Sequence, residues 1–218
     1  MFLTELEAYN RHTNLVSKGD PDTVMRQHVI DSLSLAPVIS RFSPADSSDL
    51  RLLDVGTGAG FPALILALVR KDLSVDLIES VGKKTKFLAQ TINTLGLADR
   101  VNVHNVRAED LAHDPKFRGQ YDFATARAVA KIDLVCELTV PFLKNSGHLL
   151  AQKSRQQADE ELHSAASAME LLGCKVSAIT APDAVALAKD LVVVVIKKTK
   201  PTPARYPRPS AQLKKTLT

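Results

Sequence analysis

The chain has 218 residues, of which 45% are hydrophobic and 24% are charged, and this is enough to bury a core and fits one domain better than two. Its 28 Lys and Arg against 24 Asp and Glu leave a net charge of +4, which is compatible with a polyanionic partner but does not identify one. Cys136 and Cys174 form no C-x-x-C pair, which argues against a disulfide framework or a zinc site, and the longest apolar run, residues 61–69, falls short of the roughly 20 residues that cross a bilayer.

The first 45 residues predict a helical extension with one interruption. Residues 17–21, Ser-Lys-Gly-Asp-Pro, supply a Gly, a helix cap and a Pro suited to the first position of a second helix. The polar segment 42–49, which holds one Pro and three Ser, then predicts a loop that is too short for a domain linker.

From residue 51 onward, short apolar runs alternate with stretches of helical period, which predicts βαβ units on a parallel sheet. Strands are predicted over residues 51–55, 75–79, 101–106, 121–126, 148–152, 175–180 and 191–197. Helices are predicted over residues 62–69, 83–95, 132–143 and 156–172, with shorter ones near Glu109 and Asp183. No ordinary helix fits between the last two strands, so they predict an antiparallel pair. The expected organisation is an N-terminal helical extension at 1–45, an α/β domain with a doubly wound, mostly parallel, seven-stranded sheet at 46–200, and a basic tail at 201–218.

A glycine-rich turn follows the first predicted strand, in the segment Asp54-Val55-Gly56-Thr57-Gly58-Ala59-Gly60-Phe61-Pro62. Glycines let the backbone turn sharply and approach a ligand, although such turns also occur for structural reasons alone. The spacing is G-x-G-x-G and not the dinucleotide-binding G-x-G-x-x-G. Asp54 would repel a pyrophosphate but suits a ligand that carries an amino group and a sulfonium, which disfavours a nicotinamide dehydrogenase.

Polar residues end the next predicted strands at the same edge of the sheet. Glu79 ends the second, where a carboxylate can accept hydrogen bonds from ribose hydroxyls, or be merely solvated. Glu109 follows the third and is either a ligand contact or a residue that stabilises a helix N-terminus. Arg127 follows the fourth and could hold a carboxylate or the guanine oxygen, or form a structural ion pair.

Taken together, these segments resemble the bacterial 16S ribosomal RNA guanine-N7 methyltransferase family, also called glucose-inhibited division protein B. The resemblance extends over nearly the whole chain. It rests on residue 10 with residues 13–15, on RQHVIDSL at 26–33, DVGTGAGFP at 54–62, ES at 79–80, KK at 83–84, FL at 87–88, RAE at 107–109, ARAVA at 126–130 and RYPR at 205–208.

The resemblance implies a Rossmann-like class I methyltransferase fold and S-adenosyl-L-methionine as cofactor. It implies cofactor contacts at Gly56, Phe61 and Arg127, at Ala108 and Glu109 beside the adenine, and at Glu79 on the ribose. The family usually has Gly where this chain has Ala63 and Ser154, its N-terminal helical region is longer, and the end after Arg208 lacks the usual Gly and following Pro. Because of these departures, the family's mode of substrate docking transfers to this chain less directly than its mode of cofactor binding.

Guanine N7 carries a free lone pair, so methyl transfer to it requires no base. We therefore expect catalysis to rest on positioning, with Arg127 holding cofactor or guanine. His28, three residues ahead of Asp31, is a second candidate catalytic residue, with a buried or capping histidine as the alternative. Phosphates of the RNA are assigned to Arg26, Lys83, Lys84, Lys153, Arg205 and Arg208.

Two further classes of function stay open from the sequence. A small-molecule methyltransferase would keep the glycine turn but need no basic surface, and a non-catalytic RNA-binding module could carry a decayed cofactor site. The expected partner is small-subunit ribosomal RNA or a ribosomal particle. We expect a soluble monomer with no metal and no membrane contact, in a bacterial cytoplasm or in an organelle with bacterial-type ribosomes.

Overall fold

The computed structural model describes residues 2–13, 25–45, 47–127, 129–181 and 190–213, apart from the side chains of residues 8, 11–13 and 25–27. The strands in these ranges are β1 Leu50–Val55, β2 Leu73–Ile78, β3 Val101–His104, β4 Tyr121–Thr125, β5 Leu143–Ser154, β6 Cys174–Thr180 and β7 Leu191–Lys198. They form one sheet in the order β3-β2-β1-β4-β5-β7-β6.

Helices cover both faces of this sheet. They are α1 Phe2–Thr13, a π-helical turn Met25–Ile30 that leads into α2 Asp31–Leu33 and α3 Leu35–Phe42, then α4 Ala63–Val69, α5 Gly82–Thr94, α6 Ala108–Leu111, α7 Ile132–Thr139 with a 3₁₀ turn Val140–Phe142, α8 Arg155–Leu172 and α9 Ser210–Leu213. Within the described ranges, none of them is long and apolar enough to span a membrane.

Strand pairing confirms the predicted doubly wound sheet. The pairs β1–β2, β2–β3, β1–β4 and β4–β5 are parallel, while β7 pairs antiparallel with both β5 and β6. From β1 the chain runs outward to β3 and then returns to the other side of β1 at β4. The order of strands therefore reverses between β1 and β4, and in open α/β sheets the crevice at the carboxyl ends of such strands is where ligands bind.

Alternate residues of the strands supply two buried layers. On one face, Leu52 and Leu77 pack with residues of α1, α3, α4 and α5. On the other, Leu53 and Ile78 pack with residues of α6, α7 and α8. Both faces are apolar because helices cover both, as expected for a parallel sheet. Cys136 and Cys174 are buried in the second layer as free thiols, as predicted.

The largest difference from the predicted boundaries lies between α7 and β5. The helix predicted over residues 132–143 ends at Thr139, and β5 begins at Leu143 and not at residue 148. Pro141 ends the helix, because it lacks an N–H and its ring clashes with the preceding turn. The added strand residues pair irregularly with β4, and Ser146 adopts a left-handed φ of 71° within them. The short helix predicted near Asp183 lies outside the described residues.

Candidate active site

The glycine turn joins β1 to α4 at the point where the strand order reverses. Gly56, Gly58 and Gly60 have φ values of +69°, +60° and +99°, a region that L side chains rarely adopt. A Cβ at Gly56 would lie 2.8 Å from Cγ2 of Val129, and one at Gly60 would lie 2.9 Å from Cβ of Leu64. Glycine is therefore needed at Gly56 and Gly60 for close packing as well as for the turn.

Asp54 lies beneath this turn and has no exposed surface. Its Oδ1 accepts a hydrogen bond of 2.8 Å from the Thr125 hydroxyl, whereas its Oδ2 has no donor in hydrogen-bonding geometry among the described residues. Burial raises the pKa of this carboxyl to about 7, and its polar neighbours offset only part of that rise. A cation bound in the turn would favour the ionised form.

Glu79 connects the end of β2 to the glycine turn. It is 6% exposed; one carboxylate oxygen accepts from the Gly58 N–H at 3.1 Å and the other from the Val81 N–H at 2.9 Å. Each carboxylate oxygen can accept a second hydrogen bond. The side chain is thus held at the turn and retains capacity for a ligand.

A cavity of about 110 Å³ opens between these elements. Four predicted cofactor residues share its wall, namely Gly56, Glu79, Ala108 and Glu109. Apolar walls come from residues such as Ile78 and Val129, and Val129 also packs close to Gly56. Glu109 is 8% exposed, and its Oε1 is contacted by the Ser210 hydroxyl of α9.

Arg127, His28 and Phe61 form a cluster on the far side of the turn. The Arg127 guanidinium donates to the His28 carbonyl oxygen at 3.5 Å, contacts Nδ1 of the same residue, and lies 5.6 Å from the Phe61 ring centroid. The His28 ring stacks on Phe61 with centroids 5.0 Å apart. Burial and the Arg127 charge lower the pKa of His28 to about 4, so its ring is neutral at pH 7 and Nδ1 acts as acceptor.

A second, larger cleft of about 510 Å³ lies beside the first cavity, and Val129 lines both. Asp31, Arg127 and Gln152 are in its wall together with Lys153, whose Nζ pairs with Glu161 at 2.8 Å and donates to the Ala130 carbonyl. Sequence patterns did not assign Gln152 to the site. The signal available was its place at the carboxyl end of a predicted strand.

The cations assigned to RNA fall into three groups. Lys83 is exposed and Lys84 half-buried at the start of α5, and Arg205 is exposed with its guanidinium 5.2 Å from the Tyr206 ring centroid. Arg208 forms a bidentate ion pair with Glu137, and Lys153 pairs with Glu161, so both already neutralise a carboxylate. The side chain of Arg26 lies outside the described residues. Among those that are described, no group of three or more His, Cys, Asp or Glu could hold a metal ion.

Comparison with known proteins gives concordant matches. A family model described as GidB, rRNA small subunit methyltransferase G, matches residues 1–188. The chain is 38% identical over 207 residues to the ribosomal RNA small subunit methyltransferase G of Acetivibrio thermocellus, a match that covers 95% of this chain and 82% of the relative. It is 40% identical over 200 residues to the protein of the same name from Streptococcus equi subsp. zooepidemicus, covering 92% and 81%.

A similar solved structure is that of a SAM-dependent methyltransferase from Aquifex aeolicus, with a TM-score of 0.58 and 17% identity. The match covers 81% of this chain and 93% of that one. At this identity the likeness concerns the fold alone, which is the Rossmann-like fold of class I methyltransferases.

Proposed function

The chain belongs to the GidB family of small-subunit rRNA methyltransferases, and from that premise we propose that it methylates N7 of one guanine in small-subunit ribosomal RNA. Family membership makes it an S-adenosylmethionine-dependent rRNA methyltransferase. The structural observation that carries the proposal is the hydrogen bond between the glycine turn and Glu79. It places a backbone that a ligand can approach closely next to a carboxylate that can bind ribose hydroxyls, at one cavity.

The residues present fit S-adenosylmethionine. Glu79 would hold the ribose hydroxyls, the positive-φ backbone at Gly56 and Gly58 admits close approach, and Ala108 and Glu109 would lie beside the adenine. The buried Oδ2 of Asp54 lacks a donor, and a cationic group above it would supply one. A volume of about 110 Å³ is small for such a ligand, so the cavity has to widen to admit it.

When bound, S-adenosylmethionine supplies a methyl group on a positively charged sulfur. Guanine N7 attacks with a lone pair that carries no proton, so no side chain of this chain has to act as a base. The work left to the protein is to align the two reactants and exclude water, and such positioning contributes on the order of 7–11 kcal/mol in well-oriented reactions. This agrees with a site that holds one half-buried arginine and no nucleophile-and-base pair among its described residues.

Arg127 is proposed as the residue that positions the reactants, and His28 as the residue that positions Arg127. Neutral His28 accepts from the guanidinium, and both groups contact the Phe61 ring. Arg127→Ala should lower the rate of methyl transfer by about 100-fold, because small misplacements of bound reactants cost that much. The exposed Arg41 offers the control Arg41→Ala, which should retain the full rate. An undiminished rate in Arg127→Ala would remove this assignment.

RNA contacts are proposed for Lys83 and Lys84 at the start of α5, for the exposed Arg205, and for Arg26. Lys153 and Arg208 already pair with carboxylates, so their assignment to phosphates stays a prediction. The proposal also includes domain boundaries at residues 45 and 200 and a monomeric state. It further includes a location with bacterial-type ribosomes, in a bacterial cytoplasm or an organelle. Sedimentation at micromolar concentration tests the monomer.

The decisive experiment incubates the protein with methyl-labelled S-adenosylmethionine and small-subunit particles from a bacterial strain that lacks the modification. Digestion and mapping should place the label on N7 of one guanine, and addition of S-adenosylhomocysteine should suppress it by competition. The proposal fails if the particles acquire no label, or if the label lies on another atom of the RNA.

A further inference from the structure

The larger cleft lies where the acceptor of the methyl group has to be. It lies at the carboxyl edge of the sheet, beyond β4 and β5. Val129 lines both this cleft and the cofactor cavity, so the two are neighbours. Its volume of about 510 Å³ is within the range of roughly 300–1,000 Å³ that small-molecule sites occupy. A base bound there would lie next to the methyl donor.

The cleft wall holds two carboxylates and three cations, of which Lys131 is exposed and the other two interact with the carboxylates. Lys153 pairs with Glu161 at 2.8 Å. Arg127 and Asp31 both line the cleft, and their charges interact. The Asp31 charge raises the pKa of Arg127, and the Arg127 charge lowers the pKa of Asp31, in both cases against the larger effect of burial. The wall therefore presents a strong donor next to a strong acceptor.

Gln152 fixes the position of Asp31. Its amide nitrogen donates to the Asp31 carbonyl oxygen at 2.5 Å and to the Ser34 hydroxyl at 3.3 Å. Gln152 is 8% exposed, and its Oε1 has no hydrogen-bond partner among the described residues. A buried amide oxygen without a donor is costly, so a ligand with an extra N–H would be stabilised here.

The donor and acceptor match one edge of guanine. Resting on the methyltransferase activity proposed above, we propose that this cleft reads the Watson–Crick edge of the target guanine, with Arg127 donating to O6, Asp31 accepting from N1–H and the 2-amino group, and Gln152 holding Asp31 in place. Adenine presents the reverse order, a donor at N6 and an acceptor at N1, and is excluded. Enzymes that act on a base taken out of the stack commonly recognise it by this edge.

This arrangement also leaves the reacting atom available. A lone pair that accepts a hydrogen bond from the protein is a poorer nucleophile, and N7 is the usual partner of arginine in guanine recognition. Holding the opposite edge through Asp31 keeps N7 free of protein donors while the base is aligned.

The test replaces the mapped guanosine by inosine, which lacks the 2-amino group but retains N7, in rRNA reconstituted into small-subunit particles. Single-turnover methyl transfer by the full-length protein should be about 10- to 100-fold slower with inosine, because the half-buried Asp31 carboxylate loses one of its donors. Equal rates on guanosine and inosine would overturn the inference. No label on unaltered particles would instead overturn the proposed function, and the inference with it.

A variant tests which residue senses the amino group. Asp31→Asn should slow transfer to guanosine and bring the ratio of the guanosine rate to the inosine rate toward one. The variant already lacks the interaction with the 2-amino group, so removing that group from the substrate has no further effect. Gln156→Leu, at an exposed glutamine on α8 that donates to Glu160, is the control and should keep the full ratio. Binding of S-adenosylhomocysteine verifies that both variants are folded, and an unchanged ratio in Asp31→Asn would refute the assignment.

Discussion

The Asp54 carboxyl links the chemistry of the site to the stability of the fold. Its ordinary pKa is 3.8, and burial raises that value to about 7 in the folded chain, with Arg127 acting weakly in the opposite direction. Between these two values the unfolded chain ionises while the folded one does not. The protein therefore loses stability as pH rises from about 4 to about 7, and above that range the loss is constant.

We predict that Asp54→Asn raises the free energy of unfolding at pH 8 by an amount on the order of a few kcal/mol, because asparagine has no charge to bury. The difference from the unmodified protein should disappear near pH 4, where the carboxyl is protonated in both states. Urea unfolding at pH 4, 6 and 8 measures it, with the exposed Asp159→Asn as control. If Asp54→Asn raised the free energy of unfolding equally at all three pH values, the gain would not come from the ionisation of Asp54.

At this scale the sequence indicated the residues around the smaller cavity better than those around the larger cleft. Gly56 and Glu79 could be placed together because the turn and the next strand end lie close in sequence and follow a recurring pattern. Gln152 and Asp31 are 121 residues apart, and their hydrogen bond depends on how the N-terminal helices pack against β5. Single-sequence patterns do not contain such a contact.

Among the elements, α8 begins with a capping box formed by Ser154 and Gln157. The Ser154 hydroxyl accepts from the Gln157 N–H, and the Gln157 side chain accepts from the Ser154 N–H. The resemblance leads one to expect Gly at this position. Serine caps a helix better than alanine, and glycine is intermediate.

Ser154→Ala should therefore lower the free energy of unfolding by about 1 kcal/mol, and Ser154→Gly by only a few tenths. Denaturant unfolding distinguishes the two. Ser164→Ala, at an exposed position within the same helix, should be neutral or slightly stabilising because alanine has the higher helix propensity. Equal losses at Ser154 and Ser164 would show that the cap contributes nothing.

The segment after β7 starts at the amino edge of the sheet, and its described part reaches Glu109 in the wall of the smaller cavity. Arg118 donates to the carbonyl oxygens of Thr202, Pro203 and Tyr206, and Arg208 pairs with the buried Glu137 of α7. Beyond this pair, Ser210 contacts Glu109. The ion pair thus holds the segment that contacts the adenine end of the proposed cofactor site.

Arg208→Ala should cost about 2 kcal/mol of stability, because it leaves the Glu137 carboxylate buried without its charged partner. It should also weaken binding of S-adenosylhomocysteine. Adding Glu137→Gln should recover part of the stability, as no unpaired charge remains. Arg205→Ala, three residues earlier and exposed, is the control and should change stability by no more than about 0.5 kcal/mol. Additive losses in the double variant would contradict this account.

Element order was predictable because alternating apolar runs and helical periods are local signals. The short link between β6 and β7 correctly predicted an antiparallel pair. The boundary between α7 and β5 was not predictable, since residues 143–147 join the sheet only through irregular pairing with β4. Gly147 is required there, as a Cβ would lie 2.9 Å from the Tyr121 carbonyl oxygen.

For the whole molecule, the carboxyl and amino edges of the sheet differ in what they offer an RNA. Lys83 and Lys84 begin α5 directly after the end of β2, on the edge that holds both cavities. Lys144 lies at the start of β5 on the opposite edge, where it pairs with Asp122 at 2.8 Å. The net charge of +4 does not indicate which edge binds RNA. The position of both cavities indicates the carboxyl edge.

Lys83→Ala combined with Lys84→Ala should weaken binding to small-subunit particles and flatten its dependence on salt. Every phosphate that the protein no longer neutralises removes roughly 0.7–0.9 from the slope of log K against log salt concentration, because fewer counterions are released on binding. S-adenosylhomocysteine affinity should be unchanged, since neither lysine lines the cavity. Lys144→Ala should leave the slope as it is. A flattened slope in Lys144→Ala, with none in the double variant, would place the RNA on the amino edge and separate it from the methyl donor by the length of the strands.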